Sequence, residues 1–315
     1  MTEAAALVTG CAGFIGSSLV DHLLERGHIV IGVDNLRTGS LDNMRAAVEN
    51  PRFKFLRKDV CEEDWGSSIE SEIDIIYHLA AISSVKLSIE DPLLVHRINV
   101  GSTVNVLDMA RSKDVQRVVF SSSAAVYGNP PEMPIHEDTP LSPLSPYAAS
   151  KIAAEHYMRA YSMTYDFESV VLRYFNIYGP RQAYSEYSGV VSIFINQALA
   201  GLPITVEGDG TQTRNFLHVD DTVRATCLAG DIAAAAGVTM NICGEESVSI
   251  NTIAEQVLKS VQDTKSEIVH VPARVGDVKH SLGTMAKAHN VLGFTPSVSL
   301  ESGLSNTVEW YRSLL

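Results

Sequence analysis

The chain of 315 residues carries 37 acidic side chains against 24 lysines and arginines, a formal net charge of -13. Its length allows about two domains with a sizeable hydrophobic core. The acidic balance disfavours a nucleic acid or an anionic membrane as partner, because either would need a basic patch, but it does not exclude a small anionic ligand.

The first elements predict a dinucleotide-binding unit. An apolar run over Ala4–Thr9 predicts a buried strand, which ends in a turn with the spacing G-x-x-G-x-x-G, formed by Gly10, Gly13 and Gly16. Glycines at such a turn let the backbone approach a pyrophosphate at the N-terminus of the helix that follows. That helix repeats leucines on one face and ends near Gly27.

A second apolar run, His28–Val33, predicts the next strand and ends at Asp34. An acid at this place accepts a hydrogen bond from the adenosine ribose. Asp34 favours NAD over NADP, because a 2′-phosphate would meet a carboxylate. Arg37 is the one nearby residue that argues the other way.

Further apolar runs predict three more strands, over Phe53–Leu56, Asp74–Leu79 and Arg117–Phe120. The residues that follow them should meet at the carboxyl edge of the sheet, where open α/β sheets bind ligands. They are an acid in reach of an adenine edge, two alanines that permit close approach, and three serines: Asp59-Val60, Ala80-Ala81 and Ser121-Ser122-Ser123. His78, inside an apolar strand, is expected to be a satisfied core residue.

Two features lie between and after these strands. The stretch Asp91–Met109 predicts a helix, with Asn99 in its middle directed toward the cofactor. The proline-rich segment Asn129–Pro146 is long for a loop within a compact domain, which indicates that it covers something.

The most informative pair is Tyr147 and Lys151, near the start of a helix predicted to run through Tyr161. Their spacing puts a phenol and an ammonium on one helix face, one turn apart. A neighbouring cation favours phenolate, so the pKa of Tyr147 is predicted to fall well below its usual value of about 10. A tyrosine of that kind is a general base for a sugar hydroxyl.

The cysteines are scattered, without CxxC spacing, and so predict reduced thiols rather than disulfides or a zinc site: Cys11, Cys61, Cys227 and Cys243. The N-terminus has no basic segment, and no apolar stretch is long enough to span a membrane. These features predict a cytoplasmic protein without a membrane anchor, and nothing indicates a metal.

Together these motifs resemble the extended short-chain dehydrogenase/reductase superfamily and, within it, the nucleotide-sugar 4-epimerases. The matching segments span nearly the whole chain: GCAGFIG from Gly10, Asp34-Asn35-Leu36, HLAA from His78, SSSAAVYG from Ser121, YAASK from Tyr147, RYFN from Arg173 and RNFLHVDD from Arg214.

The resemblance implies an α/β fold, with a Rossmann-type doubly wound parallel sheet and a smaller α/β C-terminal substrate domain. Residues 1–175 would form the NAD-binding domain and residues 176–315 the nucleotide-sugar-binding domain. Segments near Phe216–Val219 and Thr239–Cys243 are predicted to be strands that return to the first sheet, so the boundary is not a single cut. The resemblance also implies a homodimer that pairs helices, one of them the helix of Tyr147.

Sequence differences from related enzymes with other activities restrict the reaction that this chain can catalyse. The similar 4,6-dehydratases carry Asp-Glu where this chain has Ala124-Ala125, and the UDP-glucuronate decarboxylases typically carry a Glu in this segment. Without such a carboxyl the site can oxidise and reduce, which fits an epimerase. By resemblance, Tyr147 takes the proton from the sugar O4 with Ser123 as relay and Lys151 as the stabilising cation, while C4 gives its hydride to bound NAD and takes it back on the other face.

The resemblance assigns the binding residues as well. Those for NAD are Gly10, Gly13, Phe14, Ile15, Gly16, Asp34, Asn35, Thr38, Gly39, Asp59, Val60, Leu79, Ala80, Ala81, Asn99, Ser121, Tyr147, Lys151 and Tyr174, the last against the nicotinamide. Those for the UDP-sugar are Ser84, Ser123, Tyr147, Asn176, Gly189 and Val190 at the start of a helix, Thr205 with Val206 near uracil, Arg214 and Arg274 on the diphosphate, and Asp277 on a ribose hydroxyl.

One position bears on the substrate. Ser281 stands where epimerases restricted to non-acetylated sugars tend to carry a bulky Tyr, so an N-acetyl group is predicted to be tolerated alongside UDP-glucose and UDP-galactose. Two other functions stay open: an epimerase of a UDP-sugar acid or a related nucleotide-sugar reductase, and a non-catalytic NAD-sensing or scaffold protein. The latter usually loses the Tyr, the Lys or the Ser, all of which this chain has.

Overall fold

The computed structural model describes residues 5–184, 189–273 and 279–315. The strands are β1 (Ala5–Thr9), β2 (Ile29–Asp34), β3 (Phe53–Arg57), β4 (Ile75–His78), β5 (Arg117–Ser123), β6 (Glu168–Tyr174), β7 (Asn176–Tyr178), β8 (Ile204–Glu207), β9 (Thr213–His218), β10 (Thr239–Ile242), β11 (Ser247–Ser249), β12 (Ile268–Val271) and β13 (His280–Ser281). The α-helices are α1 (Phe14–Glu25), α2 (Arg45–Val48), α3 (Val85–Glu90), α4 (Pro92–His96), α5 (Ser102–Ser112), α6 (Pro146–Tyr165), α7 (Val190–Leu199), α8 (Val219–Asp231), α9 (Ile250–Val261), α10 (Ala286–Leu292) and α11 (Leu300–Arg312).

A seven-stranded parallel sheet organises the N-terminal part, in the order β10-β6-β5-β4-β1-β2-β3. Its inner strand β1 is buried along its whole length, as expected for a strand covered on both faces. The strand order reverses next to β1, so the carboxyl ends of β1 and β4 border a crevice. This confirms the predicted Rossmann-type doubly wound sheet.

Helices cover both faces of this sheet. On one face α1 and α8 bury their apolar side chains against β1 and β6, and on the other face α5 and α6 do so against β4 and β5. The predicted leucine face of α1 is buried throughout, at Leu19, Leu23 and Leu24. The catalytic candidates of α6 are therefore carried by a helix packed directly on the sheet.

The C-terminal part has its own sheets and core. β9 lies between β11 and β13 and also pairs with β7, while β8 pairs with β12. Helices α7, α9 and α11 pack together beside them around buried apolar residues such as Phe194, Ile253 and Val308. This is the smaller α/β unit that the sequence predicts.

Only one of the two segments predicted to return to the main sheet does so. β10 pairs with β6 in the main sheet, as predicted for the segment Thr239–Cys243. The prediction for Phe216–Val219 was wrong: β9 belongs to the smaller sheet, and Val219 starts α8, which packs on α1. Only Phe216 and Leu217 of β9 are apolar, so the strand lacks the continuous apolar run that is typical of a buried parallel strand.

Two helices also differ in extent from their predictions. The stretch Asp91–Met109 is α4 and α5 joined by a π-helical turn over Arg97–Gly101, and Asp91 caps α4 through its carboxylate. Helix α6 continues beyond Tyr161 to Tyr165, with Ser145 as its N-cap. Within the described residues no helix combines the length and apolarity needed to cross a membrane.

Candidate active site

The glycine-rich turn joins β1 to α1 and is closely packed. Gly10 has φ of +72°, and a Cβ there would lie 2.8 Å from the backbone nitrogen of Ala80. A Cβ on Gly16 would lie 2.0 Å from the carbonyl oxygen of Gly10, so only glycine lets the helix approach the turn. Gly13 is the N-cap of α1 and offers no capping side chain. The first N–H groups of α1, which begins with Phe14 and Ile15, are therefore those of an anion-binding helix N-terminus.

The acids beyond the turn hold the backbone around it. The Asp34 carboxylate accepts from the backbone N–H of Ala12 (3.0 Å) and of Leu36 (2.7 Å). Asn35 donates to the Asp59 carboxylate at 2.9 Å. Burial would raise the pKa of Asp59, but hydrogen bonds from Cys61 and Asn35 outweigh it and lower that pKa. Asp59 is thus stabilised as an anion near Asp34.

These residues border a cavity at the carboxyl ends of β1 to β4. Ten of the residues predicted to bind NAD line it: Gly10, Gly13, Asp34, Asn35, Thr38, Asp59, Val60, Leu79, Ala80 and Ala81. Gly39 lies beside it, where an added Cβ would be 2.8 Å from the Ala12 side chain. A glycine cradle that no side chain could occupy, next to a helix N-terminus without a capping side chain and to the acid at the end of β2, fits the pyrophosphate and adenosine of a dinucleotide.

Some lining residues were missing from the prediction, namely Val33, Lys58, Cys61, Ile82 and Ile98. Most of them adjoin a predicted residue in the chain, since Lys58 precedes Asp59 and Ile82 follows Ala81. Including the residue before and after each predicted contact residue would have identified these lining residues. Arg37 also lines the cavity and is exposed.

The three catalytic candidates meet where β5 faces the start of α6. Lys151 is 3% exposed, and its ammonium donates to the backbone oxygen of Ser121 at 2.8 Å. Tyr147, 8% exposed, shares a hydrogen bond with Ser123. The predicted group of a phenol, a hydroxyl and an ammonium is therefore assembled in one place, with the phenol and the ammonium buried and the hydroxyl half-buried, at the edge of the sheet that also carries the glycine turn.

The predicted lowering of the Tyr147 pKa was wrong for the protein alone. Burial penalises the phenolate and raises the pKa of Tyr147 above its ordinary value, and the hydrogen bond with Ser123 offsets this only in part. Burial likewise lowers the pKa of Lys151 to about 8, opposed by the charge of Glu155. The spacing of the two residues was informative about position, whereas the pKa depends on depth, which spacing does not reveal.

Asn99 lies in the π-helical turn and is 2% exposed. Its side-chain oxygen accepts from the N–H of Ile82 (2.8 Å), and its amide donates to the carbonyl of Ile82 (3.0 Å) and to the hydroxyl of Ser150 (3.0 Å). These bonds join the end of β4 to α6. The predicted contact with the cofactor stays a prediction, and the side chain is first of all a clamp between two elements of the site.

Tyr174 and His78 are both buried and hydrogen-bonded. The hydroxyl of Tyr174, at the end of β6, shares a hydrogen bond of 2.7 Å with Thr226. His78 is hydrogen-bonded on both ring nitrogens, to Thr9 at 2.8 Å and to Thr103 at 3.1 Å, and burial lowers its pKa to about 3. The expectation that His78 is a satisfied core residue is confirmed.

The residues predicted to bind the sugar nucleotide come from several elements. Ser84 caps α3 by accepting from the N–H of Leu87, and Asn176 begins β7. Gly189 is the N-cap of α7 and Val190 its first residue, so the predicted helix start is confirmed. The roles of these residues toward a ligand stay predictions.

Residues near the predicted nucleotide end lie on β8, β9 and β13. Thr205 is exposed and bonded to Gln197 through its backbone and its hydroxyl, whereas Val206 is fully buried. Arg214 is in register with Ser281 of β13, so the predicted diphosphate and selectivity positions are neighbours. Arg274 and Asp277 lie outside the described residues.

A family model matches residues 6–243, and its description is the NAD dependent epimerase/dehydratase family. The UDP-glucose 4-epimerase of Mycolicibacterium smegmatis is 40% identical over 309 residues, 98% of either chain. Among solved structures, a UDP-N-acetylglucosamine 4-epimerase of Methanobrevibacter ruminantium M1, in complex with UDP-N-acetylmuramic acid, is 32% identical, with a TM-score of 0.94 and full coverage of both chains. A UDP-glucuronic acid 4-epimerase of Bacillus cereus, in complex with UDP-glucuronic acid and NAD, is 32% identical, with a TM-score of 0.91 over 99% of this chain and 100% of that one.

Proposed function

The chain belongs to the NAD dependent epimerase/dehydratase family, and from this premise we propose that it is a UDP-sugar 4-epimerase that interconverts UDP-glucose and UDP-galactose. The observation that carries the proposal is the group of half-buried Ser123 with buried Tyr147 and Lys151, at the same carboxyl edge of the sheet as the glycine turn. NAD is the cofactor.

NAD supplies a hydride acceptor for the sugar C4, a donor for its return, and a positive charge. The protein moves the proton: Tyr147 takes it from the O4 hydroxyl and gives it back, and Ser123 is the hydrogen-bonding neighbour of the phenol. Because burial raises the pKa of Tyr147, its phenolate needs positive charge nearby, and Lys151, one helical turn along, is the cation that the chain provides.

The surroundings of these residues favour epimerisation over elimination. Elimination of water from a keto sugar needs an additional acid and base, and the turn after β5 carries Ala124 and Ala125 at the positions where the similar dehydratases have carboxylates. The buried carboxylate of Glu155 is occupied by Arg173, at 2.7 and 3.0 Å. The described part of the site thus offers proton transfer at one hydroxyl, which is what a reversible oxidation at C4 requires.

Substrate selectivity is proposed from the C-terminal part. A guanidinium fork suits a diphosphate, which supports Arg214 as a ligand for the UDP moiety. Ser281 adds little bulk next to it in the sheet, so we propose that the N-acetyl forms of both sugars are also converted. A UDP-sugar acid is the second candidate, because a similar epimerase of known structure acts on UDP-glucuronic acid.

Proton NMR of the C4 epimers tests these proposals directly. The purified protein, first without and then with added NAD, is incubated separately with UDP-glucose, UDP-N-acetylglucosamine and UDP-glucuronic acid. Conversion of the first two is expected, and conversion of UDP-glucuronic acid alone would replace the proposal by the second candidate. Tyr147→Phe should slow conversion by at least about 100-fold, the usual contribution of general acid–base catalysis. Tyr165→Phe, at an exposed position of the same helix, serves as the matched control.

The quaternary structure is proposed from an apolar surface next to α6. Val85, Ile89, Leu93 and Tyr157 are 44%, 65%, 81% and 42% exposed, and they lie on α3, α4 and α6, which pack together. A cluster of exposed apolar side chains on adjacent helices is typical of a subunit interface, and a two-fold axis through α6 would pair it with itself. We therefore propose a homodimer formed by this face.

The cellular location follows from the thiols. All four cysteines are free, and three of them are buried. Free thiols are typical of a reducing compartment, and we propose the cytoplasm.

A further inference from the structure

A buried carboxylate lies one helical turn beyond Lys151. Glu155 is 8% exposed, and three donors hold it: Arg173 through Nε at 3.0 Å and Nη2 at 2.7 Å, and the hydroxyl of Ser122 at 2.5 Å. A carboxylate in so little water is costly unless it is paired and hydrogen-bonded in this way. Neither Glu155 nor Arg173 belongs to the predicted site.

Further contacts hold Arg173 in place, so the carboxylate of Glu155 is fixed as well. Its third nitrogen donates to the phenol of Tyr127 at 2.8 Å, and its guanidinium lies over the same ring, 4.9 Å from the centroid. Tyr127 in turn donates to Asn241 at 2.6 Å. Burial alone would lower the pKa of Arg173, but the hydrogen bonds and charge of Glu155 outweigh it and raise that pKa.

Within the described residues, the groups around Lys151 come from β4, β5 and α6, and β6 adds the guanidinium of Arg173, which is paired with Glu155. From β5 come the carbonyl of Ser121 and the ring of Phe120, whose centroid is 4.9 Å from the ammonium. From β4 comes His78, which its low pKa keeps neutral. From α6 itself come Tyr147, neutral in the protein alone, and Glu155. Of these groups only Glu155 carries a negative charge.

We propose that Glu155 is a positioning residue for the catalytic group: fixed by Arg173 and Ser122, its carboxylate supplies the field that keeps Lys151 an ammonium in a site closed to water. Ser122 lies between Ser121 and Ser123, so the same carboxylate also ties α6 to the strand segment that holds Lys151 and Tyr147. The proposal deepens the proposed function, since it explains how the cation required by Tyr147 is kept charged.

The test reads the titration of Lys151 directly and does not depend on turnover. The chain has nine lysines, few enough for NMR of full-length protein labelled with ¹³C at lysine Cε. Lys151→Arg identifies the signal, and the NAD content is matched between samples. In Glu155→Gln the midpoint of Lys151 is expected to fall by about 1 pH unit or more, the usual effect of removing an adjacent opposite charge. Glu301→Gln, which removes an exposed carboxylate 3.0 Å from Lys259, is the matched control and should leave Lys151 unchanged.

Further variants distinguish the loss of the carboxylate charge from misfolding of Glu155→Gln. If Glu155→Gln folds poorly because Arg173 is left as an unpaired buried charge, the double variant with Arg173→Met is compared with Arg173→Met alone, since these two differ only in the Glu155 carboxylate, and the Lys151 midpoint should be lower in the double variant. Glu155→Asp keeps the charge and should restore the midpoint toward that of the wild-type protein. An unchanged or raised Lys151 midpoint in Glu155→Gln relative to the wild type, or in the double variant relative to Arg173→Met, would overturn the proposal. This experiment does not measure epimerase activity. A negative result would therefore refute the role of Glu155 only, and the proposed function is tested separately by the NMR assay of the C4 epimers.

Discussion

Replacing Asn99 by Ala separates a structural clamp from a cofactor ligand. The substitution leaves the N–H and the carbonyl of Ile82 without their partners, in a residue that is 5% exposed. Ser150 is less affected, because its hydroxyl also donates to the carbonyl of Tyr147 at 2.7 Å. An unsatisfied buried polar group costs about 1–3 kcal/mol, and water that enters the vacated space recovers part of this. We therefore expect the free energy of unfolding to fall by about 2–4 kcal/mol.

Urea denaturation with and without saturating NAD measures this loss, and an unchanged slope against urea would show that the unfolded state is not the cause. A clamp predicts a similar loss in both conditions, whereas a pure cofactor ligand affects only the NAD-saturated protein, through linkage. Asn105→Ala in the same helical segment is the control, since its amide reaches only the loop carbonyls of Val60 and Glu62, at 3.1 and 3.5 Å. A loss below about 1 kcal/mol for Asn99→Ala would refute the reasoning.

Three further predictions concern charge, assembly and selectivity. In Lys151→Met the penalty for burying an ammonium disappears, which amounts to about 3 kcal/mol at neutral pH, since the pKa of Lys151 lies near 8 in the folded and 10.5 in the unfolded protein; the loss of the hydrogen bond to the Ser121 carbonyl offsets about 1 kcal/mol or more of this gain. The variant should exceed the wild type in chemical denaturation below pH 8, and this advantage should shrink as the pH rises from 8 toward 10.5, because the unfolded wild type then binds the extra proton. Leu93→Glu puts a charge into the proposed dimer face and should halve the mass measured by light scattering, whereas a dimeric variant would contradict that interface. Ser281→Tyr should abolish conversion of UDP-N-acetylglucosamine and preserve that of UDP-glucose by NMR, and equal loss of both would argue against a selective role.

The sequence predicts those features whose information is local. The glycine turn, the acid at the end of the second strand and the spacing of Tyr147 and Lys151 each specify a backbone shape or a helix face within a few residues. The structure accordingly places Gly10, Asp34 and Ala80 around one cavity. The first five strands of the main sheet were predictable for the same reason, because buried parallel strands are continuous apolar runs, whereas β6 was not predicted.

What could not be predicted depends on partners distant in the chain. The strand β9 pairs with β11 and β13, which follow it in the chain, and its own residues do not show which strands these are. The clamp made by Asn99 needs Ile82 and Ser150, and neither contact leaves a periodic trace. Glu155 could have been singled out from the sequence, because it lies one helical turn beyond Lys151, as Lys151 does beyond Tyr147. Its partner Arg173 could not, because it comes from β6.

The prediction for Ser281 rests on how firmly its strand is held. On one side Ser281 is in register with Arg214 of β9. Directly after the strand, the long loop before α6 holds the chain: the N–H of Ile135 donates to the carbonyl of Leu282 at 2.7 Å, and the N–H of Thr284 donates to the carbonyl of Ile135 at 2.9 Å. A strand held by β9 and by these bonds at its end resists displacement by a larger side chain, so a Tyr at this position is expected to occupy the space beside it. The segment that the sequence predicts to cover something thus fixes the strand on which selectivity is proposed to depend.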